Sequence, residues 1–190
     1  KPYVITRADV FAVSPLTDKF LRSIGLLPAF RLNYDGEGAL EKNAVTFQVS
    51  EKALIEGKTV IMYPEAGHQD KHWLGTFSLG YTKMAFEAAE MAKFEKDVQI
   101  LPACNHYSHY FGLRNRMLVK FGTPISLQPY YELYKTKPRT AQRDVNKLVC
   151  EQISSMMLDI RDLENYEVID FIRTTYGEDY AKKQGVNPNN

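Results

Sequence analysis

The chain has 190 residues, 44% hydrophobic and 25% charged, the values of an ordinary globular domain long enough to bury roughly 70% of its unfolded surface. Lys and Arg number 24 against 23 Asp and Glu, a net charge of +1, so bulk charge carries no nucleic-acid signature, although a local patch could still meet a membrane surface. No run approaches the roughly 18–20 apolar residues of a membrane helix, and no signal peptide is visible. The two cysteines, Cys104 and Cys150, fit reduced core residues of a cytosolic protein better than a disulfide.

Short β-rich runs alternate with longer helical patterns, the mark of an α/β domain. Residues 3–6 form the first candidate strand. Ser14 can cap a helix with Pro15 in its first turn; Leu16, Phe20, Leu21 and Ile24 recur at helical spacing, and Gly25 ends it. Residues 26–30 read as a short strand, an edge or end strand because Pro28 cannot donate to a ladder. Residues 33–38 are loop-like. A helix over 41–55 places Val45, Val49, Ala53 and Leu54 on one face, and residues 59–62 read as a strand buried on both sides. Residues 79–94 predict a helix with Met84, Ala85, Ala88, Met91 and Ala92 inward. Strands follow at 98–103 and 117–121. After Pro129 the pattern is mainly helical, with a long amphipathic stretch near 141–160 and a polar, frayed end from 184. The chain starts on Lys1, not Met, and reads as a piece of a longer protein.

Residues 60–69, V-I-M-Y-P-E-A-G-H-Q, are the most informative segment. Pro64 should stop the strand, and Ala66 and Gly67 let the backbone approach a ligand closely. Glu65 then sits at the carboxyl end of a strand, where open α/β sheets bind ligands. Gly25-Leu26-Leu27-Pro28-Ala29-Phe30-Arg31 reads by itself as a helix cap, a strand and a surface arginine. Arg7, followed by Asp9, reads equally as an exposed ion pair or as a functional cation. His68, Asp70 and His72 could share one face of an extended segment, but Gln69 and Lys71 give no strand signature and a third strong ligand is unassigned, so no metal is assigned. His106 and His109 fit a loop packed on the sheet, or a pocket mouth with Tyr107, Tyr110 and Phe111. No G-x-S-x-G elbow supports a serine nucleophile.

Taken together and in order, these segments resemble the glycerolipid acyltransferases, the family of 1-acylglycerol-3-phosphate acyltransferases. Tyr63-Pro64-Glu65 match the start of the family's F-P-E-G-T-R block, with Ala66, Gly67 and His68 in place of Gly, Thr and Arg. Thr6-Arg7-Ala8-Asp9-Val10-Phe11 resembles its A-K-x-E-L-F turn. The segment from Gly25 to Arg31 resembles its G-x-[IV]-x-[VF]-x-R block, and Ile100-Leu101-Pro102-Ala103 its V-P-[VI]-[AV] strand. Residues 117–125, M-L-V-K-F-G-T-P-I, resemble its closing v-x-f-G-x-P-[IL] strand and turn.

The resemblance covers about residues 1–127 and implies a mixed, largely parallel sheet flanked by helices. Residues 128–190 would be a helical C-terminal extension packed on the same domain. It implies transfer of a fatty acyl group from acyl-CoA or acyl carrier protein to a lysophospholipid or glycerol-phosphate acceptor. The expected setting is peripheral, on the cytoplasmic face of a membrane, and no cofactor is implied. Arg7, Arg31, Pro64, Glu65, Ala66, Gly67 and His68 would shape the acceptor site. Arg31 supplies the planar fork that suits phosphate, and Glu65 binds and positions without acting as the base. Histidine at 68 is mostly neutral at pH 7 when unperturbed. Phosphate would then rest more on Arg7, Arg31 and a helix N-terminus, or the acceptor headgroup differs from the family norm.

One family element has no match. The H-x-x-x-x-D block supplies a histidine general base oriented by aspartate, whereas the residues five after His68, His72, His106 and His109 are Trp73, Phe77, Phe111 and Arg114. The expectation is a fragment whose base lies upstream. The alternatives are a non-catalytic lipid-binding or assembly module on the same scaffold, or a hydrolase of phosphorylated lipids.

Overall fold

The computed structural model describes residues 1–30, 36, 38–65, 71–107 and 117–185. Three parallel strands, β1 (Tyr3–Arg7), β2 (Leu26–Ala29) and β3 (Val60–Ile61), form a sheet in the order β2-β1-β3. Val4 pairs with Leu26 on one side and with Ile61 on the other. A 3-10 turn, Ala8–Phe11, leads into α1 (Pro15–Ile24), and α2 (Ala39–Ile55) links β2 to β3. Parallel crossovers are right-handed, and the chain moves outward from β1 to β2 and then back past β1 to β3. That reversal puts α1 and α2 on opposite faces and makes the β1/β3 junction the switch point of the sheet.

Local chemistry fixes α1. The Thr17 amide donates to Ser14 Oγ at 3.1 Å, Pro15 occupies the first turn, and Gly25 closes the helix at φ 98°. A Cβ at position 25 would stand 2.7 Å from the Pro2 carbonyl oxygen, so both space and backbone angle require glycine there. The helix is as expected, but its apolar stripe is not inward: Leu16, Phe20 and Ile24 are exposed.

The inner face of α2 differs from expectation. Val45 is 63% exposed and Val49 also lies open, while Thr46, Ser50, Glu51 and Ala53 are buried. Hydroxyls are tolerated inside because each is satisfied: Thr46 Oγ1 donates to the Pro28 carbonyl and Ser50 Oγ to the Thr46 carbonyl, both at 2.8 Å. Periodicity alone could not see these partners.

Against α2 lies α3 (Gly80–Met91), which buries Met84, Ala85, Phe86, Ala88 and Ala89. Lys93 and Phe94 both take positive φ and end the helix early, leaving Met91 exposed rather than inward. Pro102 likewise divides the strand expected at 98–103 into β4 (Gln99–Ile100) and the start of β5 (Ala103–Tyr107). β4 pairs antiparallel with β7 (Ile125–Ser126), and β5 with β6 (Met117–Phe121). β3 is an edge of its described sheet, with Ile61 exposed, and is not buried on both sides.

The remaining chain forms a 3-10 turn (Gln128–Tyr130), α4 (Tyr131–Thr136), α5 (Pro138–Met156) and α6 (Tyr166–Lys183). Ala141, Val145, Val149 and Ile153 of α5 meet α3 in the larger core, together with Leu127, Tyr131 and Tyr134. A smaller core, Ile5, Leu27 and Met84, joins the parallel sheet to α3. The C-terminal helices therefore supply much of the main apolar core.

One buried acid has a consequence for stability. Burial, with the Glu87 carboxylate beside it and only Lys83 opposing, pushes Glu51 up from 4.5 to about 7. The folded protein then holds a proton that the unfolded chain releases, so stability falls as pH rises from 4.5 to about 7. Glu51→Gln should stabilise the protein by about 1–2 kcal/mol at pH 8, allowing for the solvent that still reaches the pair. At pH 4 the gain should vanish. Thermal melts at the two pH values decide it, and coincident wild-type and variant melts at pH 8 would refute the assignment.

Candidate acceptor-binding site

Three of the expected residues, Arg7, Pro64 and Glu65, lie at the carboxyl ends of β1 and β3. Arg7 is the last residue of β1, and the chain leaves β3 through Met62 and Tyr63 into a turn holding Pro64 and Glu65. Because β1 and β3 are parallel neighbours with Val4 opposite Ile61, Arg7 and the Pro64–Glu65 turn lie at the same edge, over the switch point. Ligands in open α/β sheets bind in that crevice. β2 ends at Ala29, opposite Arg7, two positions before Arg31 in sequence.

Arg7 is held by Asp9: Nε donates to Oδ1 at 3.2 Å and Nη2 pairs with Oδ2. The side chains are 63% and 43% exposed, so the pair is weak and a more highly charged anion can replace the carboxylate. The exposed ion pair with Asp9, one of the two readings of Arg7, is present.

Strand pairing ends at Ile61, ahead of Pro64, whose carbonyl accepts from the Ser78 amide at 3.0 Å. Glu65 is exposed, and its Oε1 accepts from the Gly75 amide at 2.9 Å. Arg31, Ala66, Gly67 and His68 lie outside the described residues, as do Asp70 and His109.

The remaining histidines have structural partners. Arg173 Nη2 lies 3.3 Å from His72 Nε2; guanidinium only donates, so the ring nitrogen accepts. Burial and the Arg173 charge hold His72 below its ordinary value, with Asp170 opposing. His106 Nε2 lies 3.1 Å from the Met156 carbonyl and 3.4 Å from Cys104 Sγ, tying β5 to the end of α5; Tyr110 and Phe111, named with it as a pocket mouth, lie outside the described residues. Both cysteines are free, and burial pushes both thiols up, with Glu151 and Glu65 adding to the effect at Cys150. Such thiols are poor nucleophiles.

Sequence reasoning missed the partners of the segment after Glu65. The His72 amide donates to Tyr166 Oη at 2.8 Å, the Ile160 amide to the His72 carbonyl at 2.7 Å, and the Leu74 amide to Asp159 Oδ1 at 3.1 Å. Tyr166 is 4% exposed and meets Trp73 edge-on at 5.7 Å. An open cavity of about 390 Å³ adjoins this segment, between Leu74, Cys150, Ser154 and Arg161.

Comparison with known proteins agrees with the family resemblance. Residues 1–106 match the acyltransferase family model. Over 127 residues, 66% of the chain, it is 29% identical to an uncharacterised acyltransferase of Schizosaccharomyces pombe, covering 19% of that protein. Glycerol-3-phosphate O-acyltransferase 2 of Saccharomyces cerevisiae is 29% identical over 135 residues, 70% of the chain and 18% of the relative. Glycerol-3-phosphate O-acyltransferase 1 of the same yeast is 24% identical over 153 residues, 79% of the chain and 20% of the relative. The chain thus spans about a fifth of the length of these relatives. With the family model matched over more than half its length, this chain belongs to the acyltransferase family.

Proposed function

We propose that the complete protein transfers an acyl group from an acyl thioester, acyl-CoA or acyl carrier protein, to a hydroxyl of a glycerol phosphate, and that this chain carries the acceptor site. The observation that carries the reading is the emergence of Arg7 and Glu65 from adjacent parallel strands at the switch point. In this reading Arg7 exchanges Asp9 for the acceptor phosphate, helped by Arg31, while Pro64, Ala66, Gly67 and His68 contribute to the acceptor site. Glu65 orients the glycerol portion. The acceptor oxygen forms an ester bond to the acyl carbon, the carbon–sulfur bond breaks, and the thiol leaves. The acceptor proton passes to a base that none of this chain's histidines matches by motif. The names of the yeast relatives favour glycerol 3-phosphate over a lysophospholipid as acceptor.

A lipidic product implies work at a membrane surface. Among the described residues no helix is long and apolar enough to cross a membrane. Peripheral contact is supported by the exposed Val13, Leu16, Phe20 and Ile24 on and beside α1, with Lys19 and Arg22 on the same helix. One assay tests the proposal: the complete protein, labelled acyl-CoA and either glycerol 3-phosphate or lysophosphatidic acid, with anionic vesicles. Glycerol 3-phosphate should be acylated at least about tenfold more efficiently, and Leu16→Asp with Phe20→Asp should shift protein and activity off the vesicles. Binding of acceptor without transfer would turn the assignment to a non-catalytic lipid-binding module.

A further inference from the structure

Four consecutive residues after the Glu65 turn tie that turn to the C-terminal helices. His72 is held from both sides of its backbone, its amide on Tyr166 Oη and its carbonyl on the Ile160 amide. Two residues on, the Leu74 amide is held by Asp159 Oδ1, and the next amide, Gly75, holds Glu65 Oε1. Adjacent amides therefore bind two different carboxylates, one from the α5–α6 turn and one from the acceptor-site turn. The two amides lie on successive peptide planes joined at the Leu74 Cα, so only the φ and ψ of Leu74 stand between the two carboxylates.

Asp159 is itself fixed. Its side chain is 9% exposed, Oδ2 accepts from Ser154 Oγ and Arg161 Nε at 2.7 Å each, and Arg161 Nη2 also donates to Ser154 Oγ at 2.7 Å. Burial raises the Asp159 carboxyl, but the bonds from Ser154, Arg161 and the Leu74 amide outweigh it and hold it below the usual range. The carboxylate is an anchored acceptor, not a mobile surface acid. Behind it, Tyr166 packs on Trp73, and Arg173 joins Asp170 to His72.

We infer that Asp159 is a positioning residue for Glu65: through the Leu74 and Gly75 amides, the α5–α6 turn sets the place of the acceptor-site carboxylate and so the affinity for the glycerol-phosphate acceptor. The inference rests on the role of Glu65 proposed above. It also gives the C-terminal helices a function in the site, beyond filling the core.

The test uses the complete protein and two independent readouts. Hydrogen exchange at the Leu74 and Gly75 amides should accelerate about tenfold or more in Asp159→Ala. Asp159→Asn keeps an oxygen for the Leu74 amide and should give an intermediate rate. In steady-state assays Asp159→Ala should raise the KM for glycerol 3-phosphate about tenfold, leave the KM for acyl-CoA unmoved, and add nothing to the loss already caused by Glu65→Ala. Unchanged amide exchange in Asp159→Ala overturns the brace whatever the activity does. Accelerated exchange with a fully additive loss in the double variant overturns transmission through Glu65. Full activity in Glu65→Ala overturns the acceptor-site reading, and the positioning role with it, while exchange at Leu74 still reports whether the contact exists.

Discussion

Replacing Glu65 by alanine in the complete protein is expected to lower kcat/KM for the acceptor by about two orders of magnitude, the scale on which a single positioned polar group acts in a preorganised site. The expectation follows from position and environment together. Glu65 stands in an exposed turn beyond β3, so its removal opens no cavity, and the melting temperature should stay within about 2 °C of wild type. Its Oε1 is engaged by the Gly75 amide, which orients the carboxyl group and leaves the second oxygen for an acceptor hydroxyl. Glu65→Gln preserves an oxygen for Gly75 but loses the charge-assisted bond, which is roughly twice as strong as a neutral one. A loss of about tenfold is therefore expected, between wild type and alanine. A glutamate serving only the turn would give the opposite pattern: glutamine and wild type alike in rate, with alanine destabilised. Rates and melts measured on the same preparations separate the two.

The parts of this fold legible in the sequence are those whose cause is local. Ser14, Pro15 and Gly25 specify α1 from its two ends, because a cap, a fixed φ and a left-handed terminus act on their own backbone. Pro28 correctly marks an edge strand, and Pro64 lies just past a strand end. The placement of Arg7 and Glu65 at one end of the sheet was legible, since they end or follow strands whose parallel pairing the α/β alternation implies. What failed depended on distant partners. The inner face of α2 is polar because the Pro28 carbonyl is there to receive Thr46, and helical periodicity contains no record of that. Asp159 was invisible for a stronger reason. It meets Leu74 across 85 positions through a backbone amide, a group that nearly every residue possesses, so no residue type at 74 could signal the contact.

The same reasoning makes the largest stability effect one that crosses from the family-matched region into the C-terminal helices. Phe86 of α3 is 0% exposed and stacks on Tyr134 of α4, ring centroids 4.5 Å apart and planes 5° from parallel. Around it lie Ala85 and Ala89 on its own helix and Val145 and Val149 in the same core, so small neighbours cannot swell into a vacated ring. Phe86→Ala should therefore cost about 3–5 kcal/mol, lowering the melting temperature by roughly 10 °C for a chain of this length. Such a loss is a large share of the ~5–15 kcal/mol that holds a domain folded. Phe86→Leu keeps most of the volume and should cost roughly half as much. The stacking contribution is separable: a double-mutant cycle of Phe86→Leu with Tyr134→Leu should show a coupling of about 1 kcal/mol. A cost below about 1.5 kcal/mol for Phe86→Ala would mean that α4 does not seal this core. Residues 131–156 would then be an accessory to the sheet domain, not a structural half of it. A full cost with no Phe86–Tyr134 coupling would retain the packing but assign the energy to α5 alone, through Val145 and Val149.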